Sequence, residues 1–482
     1  MEATLSPALV DGERVGAVSG ATLDVLNPAT NRVIGRIPRC DERDVEAAVA
    51  AARRAAPGWR STEPQLRAAA LLAFADAVAE RGAELARLDS LDNGSPLHEM
   101  RNDIGLATSQ IRYMAGLALE VRGHTMPETP GRLHYTTREP FGVAARIIAF
   151  NHPLMFAATK LAAPLLVGNS VILKPSEFTS LSALAMAEDL QRLFPPGVVQ
   201  ILTGLGSEVG EALVRHPGIP RIAFIGSAAT GRRIQASAAA ASVKTVTLEL
   251  GGKNPIVVFP DADLDLAVEG AIRGMNFTWQ GQSCGSTSRL LVHRDCYDDF
   301  VTRVGERIAG MRPGSPLDPA SDIGAIVTKQ QLDKVLAYIE IGKGEHARLV
   351  TGGEQLTEGD LAAGNFVRPA LFADVDPAGR LATEEIFGPV LAAIPFASYG
   401  EAVAIANSVE YGLTASVFTR DLRTALAFSR DVEAGYVWVN ETARHFLGAP
   451  FGGVKNSGVG REEDLGEIES YTQLKSVNIR FG

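Results

Sequence analysis

The sequence predicts an α/β fold with two doubly wound parallel sheets, the first of them Rossmann-like, plus a small β element. Three observations carry this. From residue 142 onward, short apolar runs alternate with helical segments, the rhythm of a parallel sheet joined by crossover helices. The strand candidates are apolar at nearly every position, as in a sheet covered on both faces. The rhythm then restarts after "GGKNPIVVF", so the 482 residues hold more than one core, in line with ~150 residues per structural unit.

The elements follow in order. Before residue 142 the chain reads as helical. Asp41 caps "DERDVEAAVAAARRAA", and Pro57-Gly58 is expected to stop that helix. A second helix is expected from Ser61, with Pro64 in its first turn, to Asn93-Gly94, and a third in "IGLATSQIRYMAGLAL". The first series then runs "GVAARIIAF" strand, "PLMFAATKLAAPLLVG" helix, "SVILK" strand, "SLSALAMAEDLQRL" helix and "VVQIL" strand. It continues with "SEVGEALVRH" helix, "RIAFI" strand, "AATGRRIQASAAA" helix and "TVTLEL" strand. The second series includes "DLDLAVEGAIRGMNF", "SRLLVH", "CYDDFVTRVGERIAGM", "ASVFT" and "YVWVN". Two stretches, "HTMPETPGRLHYTTREP" and "SYTQLKSVNIRF", alternate like strands but belong to neither series.

Composition narrows the function. A formal net charge of -10 without any Lys/Arg run argues against nucleic acid as a partner. The most apolar stretch is broken by Pro164, Gly168 and Asn169 and falls short of the ~20 residues a membrane span needs. The first residues lack the basic and apolar regions of a secretory signal. Three cysteines, Cys40, Cys284 and Cys296, make a poor disulfide framework, so a reducing, cytoplasmic setting is expected. No spacing suggests a metal site.

Several stretches can carry chemistry, and each also has a plainer explanation. "VILKPSE" ends a buried strand in Lys174, Ser176 and Glu177, at the edge where open α/β sheets bind ligands; a carboxylate there accepts from ribose hydroxyls and repels a 2'-phosphate. An ordinary solvated Lys/Glu pair explains it equally well. "FIGSAATG" places Gly226, Ser227 and Gly231 at a helix start suited to pyrophosphate, without the spacing of the usual dinucleotide fingerprint. Glu249 ends an apolar strand, where burial raises a carboxyl toward a base active near neutrality; a salt bridge at a domain seam is the alternative. Asn151, before Pro153, is either an oxyanion donor or a helix cap. Cys284, in "GQSCGS", is a nucleophile if its thiolate is favoured and a small buried hydrophobe otherwise.

Taken together, "FNHPL", "ILKPSE", "FIGSAATG", "LELGGKNP", "GQSC", "EEIFGPVL" and "PFGGVKNSGVGRE" stand in an order and spacing that resembles the aldehyde dehydrogenase superfamily, of the NAD(P)-dependent, non-CoA-acylating kind. The resemblance covers nearly the whole chain. It implies an NAD-binding domain from residues 1–121 and 141–251, a catalytic domain from 252–455, and an oligomerisation element from 122–140 and 468–482. It implies Cys284 as nucleophile, Glu249 as general base, Asn151 as oxyanion donor and Lys160 as a proton-relay lysine. The implied cofactor contacts are Phe150, Lys174, Ser176, Glu177, Gly226, Ser227, Gly231, Leu250, Glu385 and Phe387, with no metal. The implied reaction takes an aldehyde through a Cys284 thiohemiacetal and thioester to the acid, with hydride passing to NAD and water activated by Glu249. Glu177 favours NAD, with NADP possible, and the implied assembly is a homodimer or homotetramer.

Departures from the family pattern concern the substrate. Ile225 replaces a usual Thr, Phe150 a usual Trp, and His152 a tunnel residue that is often aromatic or apolar. Thr159 stands where trimethylammonium-aldehyde members place an aromatic for cation–π contact. His445 and Phe446 are expected near the tunnel mouth. Three rivals remain: a CoA-acylating semialdehyde dehydrogenase, which tends to lack the glutamate base; a Cys hydrolase, which needs a paired His; and a non-catalytic protein keeping the fold.

Overall fold

The computed structural model describes residues 4–127 and 129–481; residues 1–3, 128 and 482, which fall within the expected domain and oligomerisation segments, lie outside the described residues. Apolar runs of the first series form the parallel centre of an eight-stranded sheet, in the order Val199–Ile201, Ser170–Lys174, Val143–Ile147, Arg221–Ile225, Thr245–Glu249. Ser170–Lys174, Val143–Ile147 and Arg221–Ile225 are buried at every position, as strands covered by helices on both faces must be. From Val143–Ile147 the chain moves outward to Ser170–Lys174, then returns to the other side at Arg221–Ile225. A crevice therefore opens beyond the carboxyl ends of Ile147 and Ile225, the place where open sheets take ligands.

The second series builds a seven-stranded sheet in the order Arg348–Thr351, Ala370–Ala373, Val390–Phe396, Arg289–His293, Pro255–Val258, Thr414–Phe418, Tyr436–Val439. Only its first strand is antiparallel. Thr245–Glu249 leads straight through Gly251 and Gly252 into Pro255–Val258, so Glu249 stands where one sheet hands over to the other. Near the C-terminus Gly458–Val459 returns to the first sheet and pairs antiparallel with Leu248 and Glu249. The two orphan stretches pair with each other: Arg132–Pro140 and Thr472–Arg480 form an antiparallel ribbon, from Pro140 opposite Thr472 to Arg132 opposite Arg480.

Three local expectations need correction. The first helix runs Glu42–Ser61, straight through Pro57. A proline inside a helix costs ~3 kcal/mol, but beyond it Trp59 is only 5% exposed and its indole N–H donates to the Leu165 carbonyl at 2.9 Å. That anchoring outweighs the lost bond. The expected helix from Ser61 to Gly94 divides at Arg81 into Pro64–Glu80 and Gly82–Asn93. Arg81 turns the chain while its guanidinium bridges Glu84 and Asp189, and apolar periodicity continues on both sides of the break, hiding it. Residues 8–38 are not helical: Ala8–Val10 and Glu13–Val15 form one hairpin, Thr22–Asn27 and Arg32–Pro38 another. The first hairpin's strands are too short to register as a period.

Candidate active site

Cys284 lies in a loop between the short turn Phe277–Trp279 and the strand Arg289–His293. The loop is shaped by Asn254, whose Nδ2 donates to the carbonyls of Cys284 at 2.7 Å and Ser286 at 2.9 Å. Asn254 Oδ1 accepts from the Thr414 N–H at 3.0 Å, so one buried amide ties the cysteine loop to a strand of the second sheet. The half-buried Cys284 packs against the cluster formed by Leu413, Tyr436, Trp438 and Phe451. Burial, and then the charges of Glu249 and Glu385, push its thiol up to about 12. Both carboxylates therefore act on the same sulfur.

Glu249 is 7% exposed. Gly452 closes over it: a Cβ there would lie 2.7 Å from Glu249 Oε1. The other oxygen, Oε2, is buried without a hydrogen-bond partner among the described residues. Burial, and then the charge of Glu462, hold the Glu249 carboxyl well above the ordinary carboxylate range, as a base working near neutrality requires. Asn151, 3% exposed, likewise keeps its Oδ1 without a partner among the described residues. The backbone before it is pinned by Asn93, whose Nδ2 donates to the Phe150 carbonyl at 2.7 Å. The helix that follows, Pro153–Leu166, starts with the Leu154 N–H donating to Asp89 Oδ2 at 3.0 Å.

Lys160, on that helix, is buried and places Nζ 2.8 Å from Glu462 Oε2, while Arg146 reaches Glu462 Oε1 at 2.9 Å. Burial alone would raise the Glu462 carboxyl, but Arg146 and Lys160 outweigh it and hold Glu462 at about 2. Burial likewise opposes the Lys160 ammonium, and the charges of Glu462, Glu467 and Glu463 hold it above its ordinary value. An ionised Glu462 clamped by two cations thus sits behind Glu249.

The crevice of the first sheet holds the expected cofactor residues. Lys174 Nζ lies 2.9 Å from Glu177 Oε2, and Ser176 beside them is buried. Ser227 caps the helix Ala228–Ala241 by accepting from the Thr230 N–H, leaving the helix start lined by backbone. Gly226 and Gly231 leave no room for a side chain: a Cβ at Gly226 would overlap the Phe224 ring, and one at Gly231 would lie 2.8 Å from Leu250 Cδ2. Leu250 thereby forms the floor under this turn. Lys174 stands three strands from Glu249 in the sheet order, a separation of ~14 Å at ~4.8 Å per strand, so the crevice suits an elongated ligand.

On the opposite wall, Glu385 Oε1 accepts from the Gly252 N–H at 3.0 Å, with Gly251 pressed beneath the carboxylate. Phe387 adopts a left-handed backbone (φ 59°), and its ring meets Phe150 edge-to-face at 5.6 Å. Gln331 fixes that turn by donating to the carbonyls of Ile386 at 2.9 Å and Phe387 at 2.8 Å.

The aldehyde dehydrogenase family model matches residues 15–477. An aldehyde dehydrogenase of Talaromyces stipitatus, tropH, is 45% identical over 479 residues, 98% of this chain and 93% of its own. Among solved structures, an NAD+ complex of a Bacillus cereus aldehyde dehydrogenase superposes with a TM-score of 0.96 at 38% identity, covering 99% of this chain and 96% of that one. An indole-3-acetaldehyde dehydrogenase of P. syringae, AldA, solved with NAD+ and IAA, matches at TM-score 0.96 and 38% identity, over 98% and 96% of the two chains. The chain belongs to the aldehyde dehydrogenase family.

In this aldehyde dehydrogenase, of the residues singled out from sequence, Glu249 and Glu385 stand close enough to act on Cys284, Phe150 meets Phe387, Lys174 pairs with Glu177 and Gly231 lies over Leu250. Sequence reasoning missed Asn254, Glu462, Arg146 and Gln331. Asn254 follows "GGK" like any turn residue, and Glu462 sits in "REED", which reads as a solvated charge run. The buried Lys253 also escaped notice; burial, then Arg289, pull its ammonium down to about 7. Cys40, Cys284 and Cys296 are all free, and among the described residues no helix is long and apolar enough to cross a membrane.

Proposed function

We propose that this chain oxidises an aldehyde to its carboxylic acid with NAD, Cys284 acting as nucleophile, Glu249 as general base and Asn151 as oxyanion donor. The observation that carries this is the convergence of a half-buried thiol and a buried, strongly raised carboxyl whose charge acts on that thiol. A dinucleotide fits the crevice: Glu177 and Lys174 face the adenosine ribose, and the backbone of Gly226, Ser227 and Gly231 over Leu250 cradles the pyrophosphate. Ser176 and Phe150 line the same groove, with Glu385 and Phe387 at the nicotinamide end. The Glu177 carboxylate repels a 2'-phosphate and so favours NAD over NADP.

Cys284 gives up its proton to solvent and its thiolate adds to the aldehyde carbon, giving a thiohemiacetal. The alkoxide is held by the Asn151 amide and the Cys284 N–H, each donor typically worth ~2.7–4 kcal/mol in the transition state. The chemistry NAD supplies when bound is hydride acceptance from that carbon. Glu249 then takes a proton from water, which attacks the Cys284 thioester and releases the acid. Lys160, held in place by Glu462, stands behind Glu249 as the lysine that helps relay its proton.

The domain division supporting this is residues 1–121 and 141–251 for NAD, 252–455 for catalysis, and 122–140 with 468–482 for oligomerisation. The ribbon exposes Leu133, Leu474, Ile479 and Phe481, apolar surface that a homodimer or homotetramer would cover. Free cysteines fit a cytoplasmic setting.

The test is NADH formation from aliphatic, aromatic and semialdehyde substrates with NAD, with NADP and with added CoA, alongside Cys284→Ala. Cys284-dependent NADH without CoA is expected. Turnover only with CoA would make this an acylating dehydrogenase instead, and no NADH from any aldehyde would favour a non-catalytic protein.

A further inference from the structure

We propose that His152 selects aromatic aldehydes bearing a ring hydroxyl, its Nε2 accepting the hydroxyl hydrogen; this rests on the aldehyde oxidation at Cys284 proposed above. His152 lies between Asn151 and the start of helix Pro153–Leu166. Its ring packs edge-on against Phe156 at 5.3 Å and tilts over Trp279 at 5.4 Å. Trp279 belongs to the loop that carries Cys284, since the Gln282 N–H donates to its carbonyl at 2.8 Å. The imidazole therefore contacts the segment that leads into Cys284 through Trp279.

Its orientation is fixed from behind. Nδ1 lies 2.9 Å from Oδ2 of Asp103, whose side chain is 1% exposed, while the His152 side chain keeps 13% exposure. A carboxylate oxygen only accepts, so Nδ1 carries a hydrogen, and the imidazole tautomer this selects has its lone pair on Nε2. No described residue hydrogen-bonds that nitrogen.

The same device recurs nearby. His445 Nδ1 lies 3.0 Å from Glu463 Oε2, and its ring stacks on Phe451 at 4.4 Å and Tyr436 at 5.8 Å. Tyr436 and Phe451 in turn belong to the cluster against which Cys284 packs. The helix Leu97–Gly116 links the two walls: it supplies Asp103 to His152, and its Tyr113 hydroxyl lies against Gly448 in the loop bearing His445. The aromatic cluster beside the thiol thus carries one imidazole, His445, and the aromatic pair Phe156 and Trp279 carries the other, His152, each with its Nδ1 held by a carboxylate. Such walls suit a planar apolar body, and a lone pair on Nε2 suits a group that donates. A phenolic hydroxyl supplies both, whereas an aldehyde without a donor leaves the nitrogen unpaired on binding.

The test compares 3- and 4-hydroxybenzaldehyde with the methyl and methoxy analogues, at a pH where the phenol keeps its proton. The wild-type enzyme is expected to favour the better hydroxy compound over its methyl analogue by about tenfold in kcat/KM, chiefly through KM, as one added hydrogen bond gives. His152→Phe should bring that ratio toward one. Asp103→Asn can donate to Nδ1 and move the ring hydrogen to Nε2, so it should lower the preference for hydroxyl and improve the methoxy analogue. Equal treatment of hydroxy and methyl compounds by the wild type, which needs no variant to fold, would overturn the proposal. So would a preference that survives in His152→Phe. Turnover of none of these aldehydes, nor of any other, would overturn the oxidation itself and the selection with it.

Discussion

Neutralising Glu249 should make Cys284 more reactive toward an alkylating reagent while destroying turnover. The thiol stands at about 12 against an ordinary 9.0, raised first by burial and then by the Glu249 carboxylate and by Glu385. A displacement from 9 to 12 is three powers of ten in thiolate population, so the gain on removing one contribution is bounded by about 1,000-fold, at about tenfold for each unit. Burial, the largest contribution, stays in Glu249→Gln and keeps the gain well under that bound. The effect also has a direction in pH. Where wild-type Glu249 still holds its proton, the two proteins carry the same charge and should react alike. The rates should separate as pH rises through the raised ionisation of Glu249, with Glu249→Gln the faster. The assay is iodoacetamide labelling of the Cys284 peptide against pH, with Cys284→Ser as the blank for Cys40 and Cys296. Slower labelling in Glu249→Gln, or curves that never separate, would refute the mutual influence of the two groups.

Asn254→Ala should cost kcat much more than KM, because it frees the Cys284 and Ser286 carbonyls and the Thr414 N–H that one amide satisfies; at about 1–3 kcal/mol for each stranded buried group, steady-state kinetics and thermal melting should both register it. Asp89 is fully buried and its carboxyl is raised from 3.8 to about 7, by burial first and by the Asp103 charge, against the hydrogen bond from the Leu154 N–H. The folded chain therefore keeps a proton that the unfolded chain has released, so this group's contribution falls as pH rises from about 4 to about 7. The interval, 7 − 3.8 = 3.2, corresponds to roughly 4 kcal/mol. Melting temperatures across that range should decline less steeply in Asp89→Asn than in the wild type; an equal slope would show that Asp89 is not the group responsible.

How much was legible in advance depended on whether a feature is local. Ser170–Lys174 and Arg221–Ile225 emerge at their expected bounds because each is a continuous buried run, and Glu249 and Cys284 are marked by the segments around them. Glu462 was invisible for the opposite reason: its partners Arg146 and Lys160 lie at the other end of the chain, and nothing in "REED" distinguishes a carboxylate clamped in the interior from one in water. Asn254 acts through Cys284, 30 residues away. The helix break at Arg81 and the passage through Pro57 were decided by packing, from Asp189 and Trp59, which local propensity does not contain. The ribbon was half legible: two alternating stretches without a place in either sheet were the clue, and their pairing is the answer.

The most direct test is to trap the acyl enzyme. Glu249→Gln, mixed with NAD and an aldehyde that the wild type oxidises, should release about one NADH per subunit and stop. Peptide mass spectrometry should then find the acyl group on Cys284. Continued turnover, or NADH release with the acyl group absent from Cys284, would contradict the assignment of nucleophile and base.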